Sequence, residues 1–175
     1  MGGETDRPVI HRVGLGTDLH RLAEGRRLVL GHVAVPHDRG PAAHSDGDVV
    51  LHAIIDALAG AAGLPDIGEM FPDNEPAWRD ADSAVMLAEA LRRVAAAGYA
   101  VVNVDATIHV EQPRLSPYKA AIQAEVARLM GLPAGAVSIK AKTGEGVDAV
   151  GRQEAIACTA VVGLCFRGEH SKSCP

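Results

Sequence analysis

His44-Ser45-Asp46-Gly47-Asp48-Val49-Val50-Leu51-His52-Ala53-Ile54-Ile55-Asp56-Ala57-Leu58 encodes a helix and a candidate site in one stretch. Ser45 followed by Asp48 has the form of a capping box, and Val49, Leu51, Ile54, Ile55 and Leu58 recur at helical spacing. A helix is therefore expected from near Asp46 to about Ala62, closed by Gly63 and Pro65, with one side buried. Asp48, His52 and Asp56 lie at i, i+4 and i+8 and line up along another face. A carboxylate one turn away on each side is well placed to orient the His52 imidazole. The same spacing also describes an ordinary solvated face, and His44 an ordinary loop histidine.

Asp18-Leu19-His20 shifts the balance towards metal chemistry. In a strand, alternate side chains share a face, so Asp18 and His20 would project together. A strand-borne pair and a helical His52 make three ligands on two rigid elements. Three protein ligands with an open fourth position are the pattern of a catalytic zinc site, not a closed structural one.

Outward from these stretches, strands are expected near Arg12–Asp18, as a pair over Arg27–Val35, and at Val101–Val110, Val137–Lys142 and Ala155–Phe166. A second helix runs from about Asp82 to Ala97, and a third starts at Ser116-Pro117, as N-cap and N1 proline, and ends at Gly131. Between the first two helices, Asp66 to Asp82 forms a long connection rich in Pro, Asp, Asn and Gly, more typical of a functional flap than of a linker. Strands and helices do not alternate strictly. The expected fold class is α+β: a mixed β-sheet with its helices on one face. The chain divides into an N-terminal extension, 1–11, a single domain, 12–167, and a short C-terminal tail, 168–175.

A chain of 175 residues has room for one domain with a real core. Aromatics are only 3%, so that core must be aliphatic, and stacking platforms for nucleic-acid bases are missing. The net charge of −5 argues against a polyanion-binding surface while permitting a local basic pocket for a small phosphate. Three cysteines, none in a CxxC pair, argue against a disulfide framework and for free thiols in a reducing compartment. Met1 to Ile10 lacks the apolar core of a signal peptide, and no apolar stretch approaches a membrane span. A cytoplasmic protein is expected.

Further chemistry lies in three loops. Asp66-Ile67-Gly68 and Phe71-Pro72-Asp73 read equally well as turn formers. Glu111-Gln112-Pro113-Arg114-Leu115-Ser116 leads into a helix N-terminus, where anions bind readily. Lys140-Ala141-Lys142-Thr143-Gly144-Glu145-Gly146 combines two lysines, a hydroxyl, glycines and an acid that could hold a diphosphate together with a divalent ion. It lacks the order of a P-loop.

Asp18-Leu19-His20, the block His44 to His52, Asp66-Ile67-Gly68, Phe71-Pro72-Asp73, Gln112-Pro113-Arg114-Leu115 and Thr143-Gly144-Glu145, in that order and spacing, resemble the 2-C-methyl-D-erythritol 2,4-cyclodiphosphate synthases of the non-mevalonate isoprenoid pathway. The resemblance runs from about Arg12 to Phe166. It implies that 4-diphosphocytidyl-2-C-methyl-D-erythritol 2-phosphate is cyclised with release of CMP. It implies zinc on Asp18, His20 and His52, and magnesium or manganese on Glu145. His44 and Thr143 would stabilise the transition state. Substrate contacts would come from Asp18, Leu19, His20, His44 and Ser45, and from Asp66, Ile67, Gly68, Phe71, Pro72, Asp73, Asn74 and Glu75. Around the cytidine phosphate would stand Val110, Glu111, Gln112, Pro113, Arg114, Leu115 and Ser116, with Ala141, Lys142, Thr143, Gly144 and Glu145; Arg152 completes the set.

This chain departs from the commonest family pattern at Leu15 and Thr17, where many members have His and Phe, and at Arg114, where Lys is common. Lys142-Thr143-Gly144-Glu145 replaces a frequent Thr-Thr-Thr-Glu, and Ala149 stands where many carry a Phe on a trimer axis. The resemblance further implies a homotrimer with active sites between subunits and sheets packed around a three-fold axis. Ala155–Phe166 agrees with this, because its nearly continuous apolar run suits a strand covered on both faces. The residues alone leave two other readings, a zinc-dependent phosphodiesterase activating water and a non-catalytic zinc-binding scaffold.

Overall fold

Gly14 and Gly16 allow a helix to lie on a strand more closely than any side chain would permit. They sit in β1 (Arg12–Glu24), and a Cβ built on either would collide with the carbonyl oxygen of Ala57 or Ala53 in α1 (Val49–Ala62). The computed structural model describes residues 10–43, 45–72, 75 and 81–167. After β1 come β2 (Leu28–Leu30), β3 (Val33–Val35) and β4 (Arg39–Pro41). Beyond α1 the chain continues through α2 (Ile67–Met70), α3 (Ser83–Ala96), β5 (Tyr99–His109), α4 (Lys119–Met130), β6 (Val137–Lys142), α5 (Asp148–Gly151) and β7 (Ala155–Phe166).

Five strands form one sheet in the order β4-β1-β7-β5-β6. β7 runs antiparallel to both β1 and β5, whereas β5 and β6 are parallel, so the sheet is mixed as expected. β2 and β3 form a separate hairpin. α1 lies across β1 and β7, with α3 on its other side and α4 beside β6. The covered face of β7 presents Ile156, Cys158, Ala160, Val162 and Leu164, all buried. On the opposite face Val13 and Leu15 are 64% exposed and Leu19 63%, leaving an apolar sheet surface without a cover in the single chain.

Three expectations are corrected. α1 is not half-solvated: Val49 to Ile55 are all buried, His52 among them, because the helix is sandwiched between the sheet and α3. A helix that is apolar nearly all round belongs inside, and each buried Leu or Ile contributes up to about 1.5–3 kcal/mol. The cap is Asp48 and not Ser45; its carboxylate accepts from Val50 N at 3.0 Å and Leu51 N at 3.2 Å. The third helix begins at Lys119, because Ser116–Tyr118 close a turn on Leu115 first. In addition, β1 is longer than expected, and the short elements β4, α2 and α5 carry too few residues for a periodic signal.

Asp48 is fully buried and also accepts from Gly31 N at 2.9 Å and His32 N at 2.6 Å, so one carboxylate ties the β2–β3 turn to the start of α1. Burial raises its pKa to about 6 against the opposing pull of these backbone donors. The turn is held a second time by His32, whose ring bridges Glu125 on α4 at 3.0 Å and Asp82, the cap of α3, at 3.3 Å. α1 ends at Gly63, in the left-handed region at φ 71°, with Leu64 N bonded to Ala59 O at 2.9 Å.

Two glycine substitutions should move stability in opposite directions. Gly16→Ala forces α1 off β1 and should cost about 3 kcal/mol or more, since backbone carbonyls cannot step aside. Gly60→Ala, on α1 with open space around its would-be Cβ, should add about 0.5–1 kcal/mol. Urea unfolding measures both, and a neutral Gly16→Ala contradicts the close approach.

Candidate active site

The register of β1 delivers the site. Gly14, Gly16, Asp18 and His20 alternate onto the covered face, and α1 descends over them so that His52 meets Asp18 and His20. Asp18 Oδ2 lies 3.1 Å from His52 Nδ1 and 3.2 Å from His20 Nε2, and the two ring nitrogens are 3.4 Å apart. The rings meet edge to face with centroids 5.5 Å apart. These residues form a group whose donor atoms all fall within 4.8 Å of one another. A tetrahedral metal shell with donors at about 2.0–2.1 Å spaces those donors about 3.3–3.4 Å apart. One carboxylate and two imidazoles at the observed separations therefore fit a metal ion.

The electrostatics are those of a tight cluster. For His52, burial works to lower the pKa, but the hydrogen bond and charge of Asp18, with Asp48 and Asp46 beyond, outweigh it and the net direction is upward. Burial pulls His20 down, and the neighbouring His52 adds to it despite the Asp18 charge. Asp18 itself is held below the usual range: burial would raise it, but the hydrogen bond from His52 and both imidazoles lower it.

The other nitrogen of His52 faces away from the cluster. Its Nε2 is 2.9 Å from Ser83 Oγ and 3.4 Å from Ser45 Oγ, and Ser83 in turn donates its hydroxyl proton to Asp46 Oδ1. This corrects the expected supports of His52. Asp48 is spent on capping, and Asp56 accepts from Ile67 N at 3.0 Å, holding α2 against α1. Neither Ser83 nor Asp46 was singled out as a partner of His52, because only the fold brings α3 to α1.

A cleft of about 290 Å³ opens over the cluster, lined by Asp18, His20, Ser45 and His52 and by Ile67, Gly68 and Phe71. Four residues expected from separate loops are thus gathered around the ligands; Ala42, Ala43 and Met86 complete the wall. Asp66 caps α2, accepting from Glu69 N at 2.9 Å, and Pro72 and Glu75 continue the same loop. His44, Asp73 and Asn74 lie outside the described residues.

A second cleft, of about 300 Å³, gathers Val110, Glu111, Pro113, Arg114, Leu115, Ser116, Ala141, Lys142 and Thr143, with Lys119 added. The Gln112–Pro113 peptide is cis. Glu111 accepts from Gly144 N at 2.9 Å and so fixes the loop in which Thr143 donates to Glu145 at 3.0 Å. Gly144 has no room for a side chain, since a Cβ there would lie 2.5 Å from Gly151 N. The pairings Asp18–Cys158, Cys158–Ile108 and Ile108–Ala141 put both clefts at one level of the sheet. Three strand spacings separate them, about 14 Å. Within one chain they do not merge.

Two expected residues point elsewhere. Leu19 projects to the uncovered face of β1 and borders a recess with Arg21, Ala149 and Glu154, because alternation sends it away from Asp18 and His20. Arg152 is exposed and paired with Glu154 at 3.0 Å. Of the cysteines, Cys158 is free and buried, and burial pushes its thiol up. Cys165 is disulfide-bonded, which corrects the expectation of free thiols throughout.

An aliphatic α+β domain with a carboxylate and two imidazoles at the base of a polar cleft has the form of a metal-dependent enzyme for small, charged substrates. The chain belongs to the YgbB family, whose model matches residues 11–165. It is 54% identical over 157 residues to the 2-C-methyl-D-erythritol 2,4-cyclodiphosphate synthase of Bordetella pertussis, an alignment covering 90% of this chain and 97% of that one. A synthase of the same name solved with CDP superposes with a TM-score of 0.82 at 42% identity, over 87% of this chain and 99% of the other. The bifunctional IspDF of Campylobacter jejuni matches with a TM-score of 0.85 at 36% identity; 89% of this chain is covered, but only 42% of that longer one.

His52→Ala should abolish metal retention, measured by elemental analysis of the purified protein. It should also lower stability by about 1–3 kcal/mol, because the imidazole is 8% exposed and not part of a solvated stripe. Full metal occupancy in that variant contradicts the site.

Proposed function

We propose that this chain catalyses the cyclisation of 4-diphosphocytidyl-2-C-methyl-D-erythritol 2-phosphate to 2-C-methyl-D-erythritol 2,4-cyclodiphosphate with release of CMP. An oxygen of the 2-phosphate attacks the β-phosphorus, the bond from that phosphorus to the α-phosphate oxygen breaks, and CMP leaves with the electron pair. The convergence of Asp18, His20 and His52 under a cleft carries the reading, in a chain of this family. Nucleophile and electrophile belong to one molecule, so the enzyme's task is to fold the substrate and neutralise charge. The attacking phosphate is already anionic, and no strong general base is needed.

Zinc on Asp18, His20 and His52, with magnesium or manganese on Glu145, would supply the positive charge that polarises the phosphates. The remaining roles belong to the chain. Ser45 contacts phosphate through its backbone, and His44 and Thr143 stabilise charge developing in the transition state. Asp66, Gly68 and Asp73 hold the erythritol, and Ile67, Phe71, Pro72, Asn74 and Glu75 are further substrate contacts. Around the cytidine phosphate stand Val110 to Ser116 and Ala141 to Glu145, a grouping supported by the cleft that nine of these residues line.

The assembly is a homotrimer, with the catalytic unit in residues 12–167 and the sheets around a three-fold axis. The uncovered apolar face of β1 supports this, as does the 14 Å gap, which a second subunit's cleft would close. Leu19 and Arg152 act on that axis side. Among the described residues no helix is long and apolar enough to cross a membrane, and the setting is cytoplasmic.

Phosphorus NMR of the product tests the chemistry. The expected result is a cyclic diphosphate with stoichiometric CMP, lost on chelation and regained with zinc plus magnesium; a hydrolysed, uncyclised product would instead mark a phosphodiesterase. For the assembly, light scattering should give the mass of a trimer, and a mass near 18.2 kDa contradicts it.

A further inference from the structure

Two residues beside His52, Ser83 and Asp46, have a task of their own. Ser83, the first residue of α3, is fully buried, and its hydroxyl has one proton to give. Asp46 takes that proton's hydrogen bond on Oδ1 and the Ser83 backbone N–H on Oδ2 at 3.1 Å. Both Asp46 oxygens thus take donors from Ser83, and the Ser83 hydroxyl proton points at Oδ1. What remains at Ser83 Oγ is lone-pair density, 2.9 Å from His52 Nε2, and that nitrogen must therefore donate. With its proton committed at Nε2, a neutral His52 has its free lone pair at Nδ1, the atom that faces Asp18 and His20.

We infer that Ser83 and Asp46 are positioning residues for the metal site: through an Asp46–Ser83–His52 relay they fix the tautomer and ring orientation that make Nδ1 of His52 a ligand. This rests on the metal-centre reading above. Ser45 Oγ is the competing acceptor, but it stands 3.4 Å from Nε2 and already accepts from Gly47 N at 3.1 Å. The relay reaches the site from α3, an element that supplies none of the three ligands. The seating of α3 on α1 is thereby coupled to metal affinity, as groups that hydrogen-bond a ligating histidine usually are.

The test uses the full chain, stripped of metal, with zinc competed against a chelator of known affinity. Ser83→Ala should bind zinc about 10–100-fold more weakly while its metal-free melting temperature stays near that of the parent; Ser83→Thr, which keeps the hydroxyl, should recover most of the affinity. Nitrogen-15 NMR of the zinc-loaded parent, labelled at histidine, should show His52 with a protonated Nε2 and a metal-bound Nδ1. Unchanged zinc affinity in Ser83→Ala, or zinc on Nε2 of His52, overturns the relay alone. A parent protein that takes up no zinc overturns the metal centre itself.

Discussion

The close contact between β1 and α1 is the constraint on which the rest of the molecule depends. Gly14 and Gly16 face the α1 backbone where Ala53, Ala57 and Ala61 pass, one small residue per turn against one per strand repeat. Two strand residues advance about 6.7 Å and four helical residues about 6 Å, so the two repeats stay nearly in step. Carried one repeat further, the same register brings Asp18 against His52. A larger residue at either glycine would lift the helix, and the histidine with it, away from its partners.

Burying α1 on nearly every side has a chemical consequence. His52 enters the cluster from a helix buried on nearly every side, and Asp18 and His20 come from the stretch of β1 that pairs with β7. Burial sets the two imidazoles apart: it pulls His20 down, whereas at His52 the hydrogen bond and charge of Asp18 outweigh it, and the same imidazoles hold the carboxylate low. Such a cluster favours a cation at its centre. The second cleft is built differently, from loops at the ends of β5 and β6, with Glu111 holding Gly144 in place of a packed core.

Much of this could be read in the chain beforehand. Asp18, His20 and His52 were recognisable because strand and helix periodicities are local, and the mixed sheet followed from the order of elements. The supports of His52 were not legible. Asp48 and Asp56 satisfied the helical spacing, yet burial turned one into a cap for α1 and the other into an anchor for α2. Ser83 and Asp46 lie 37 residues apart in sequence and meet only through tertiary packing. The pairing of Gly14 and Gly16 with Ala53, Ala57 and Ala61 was present in the sequence, but small residues carry no chemistry that draws attention to them. Likewise Ser116-Pro117 had the residues of a helix start, and the turn on Leu115 moved the helix to Lys119.

The most direct measurement is X-ray absorption at the zinc edge of the metal-loaded protein. The account predicts two imidazole nitrogens and a carboxylate oxygen at about 2.0–2.1 Å, with a fourth light-atom ligand exchangeable with solvent. A sulfur neighbour near 2.3 Å, or a shell with a single imidazole, would contradict the metal centre described for Asp18, His20 and His52.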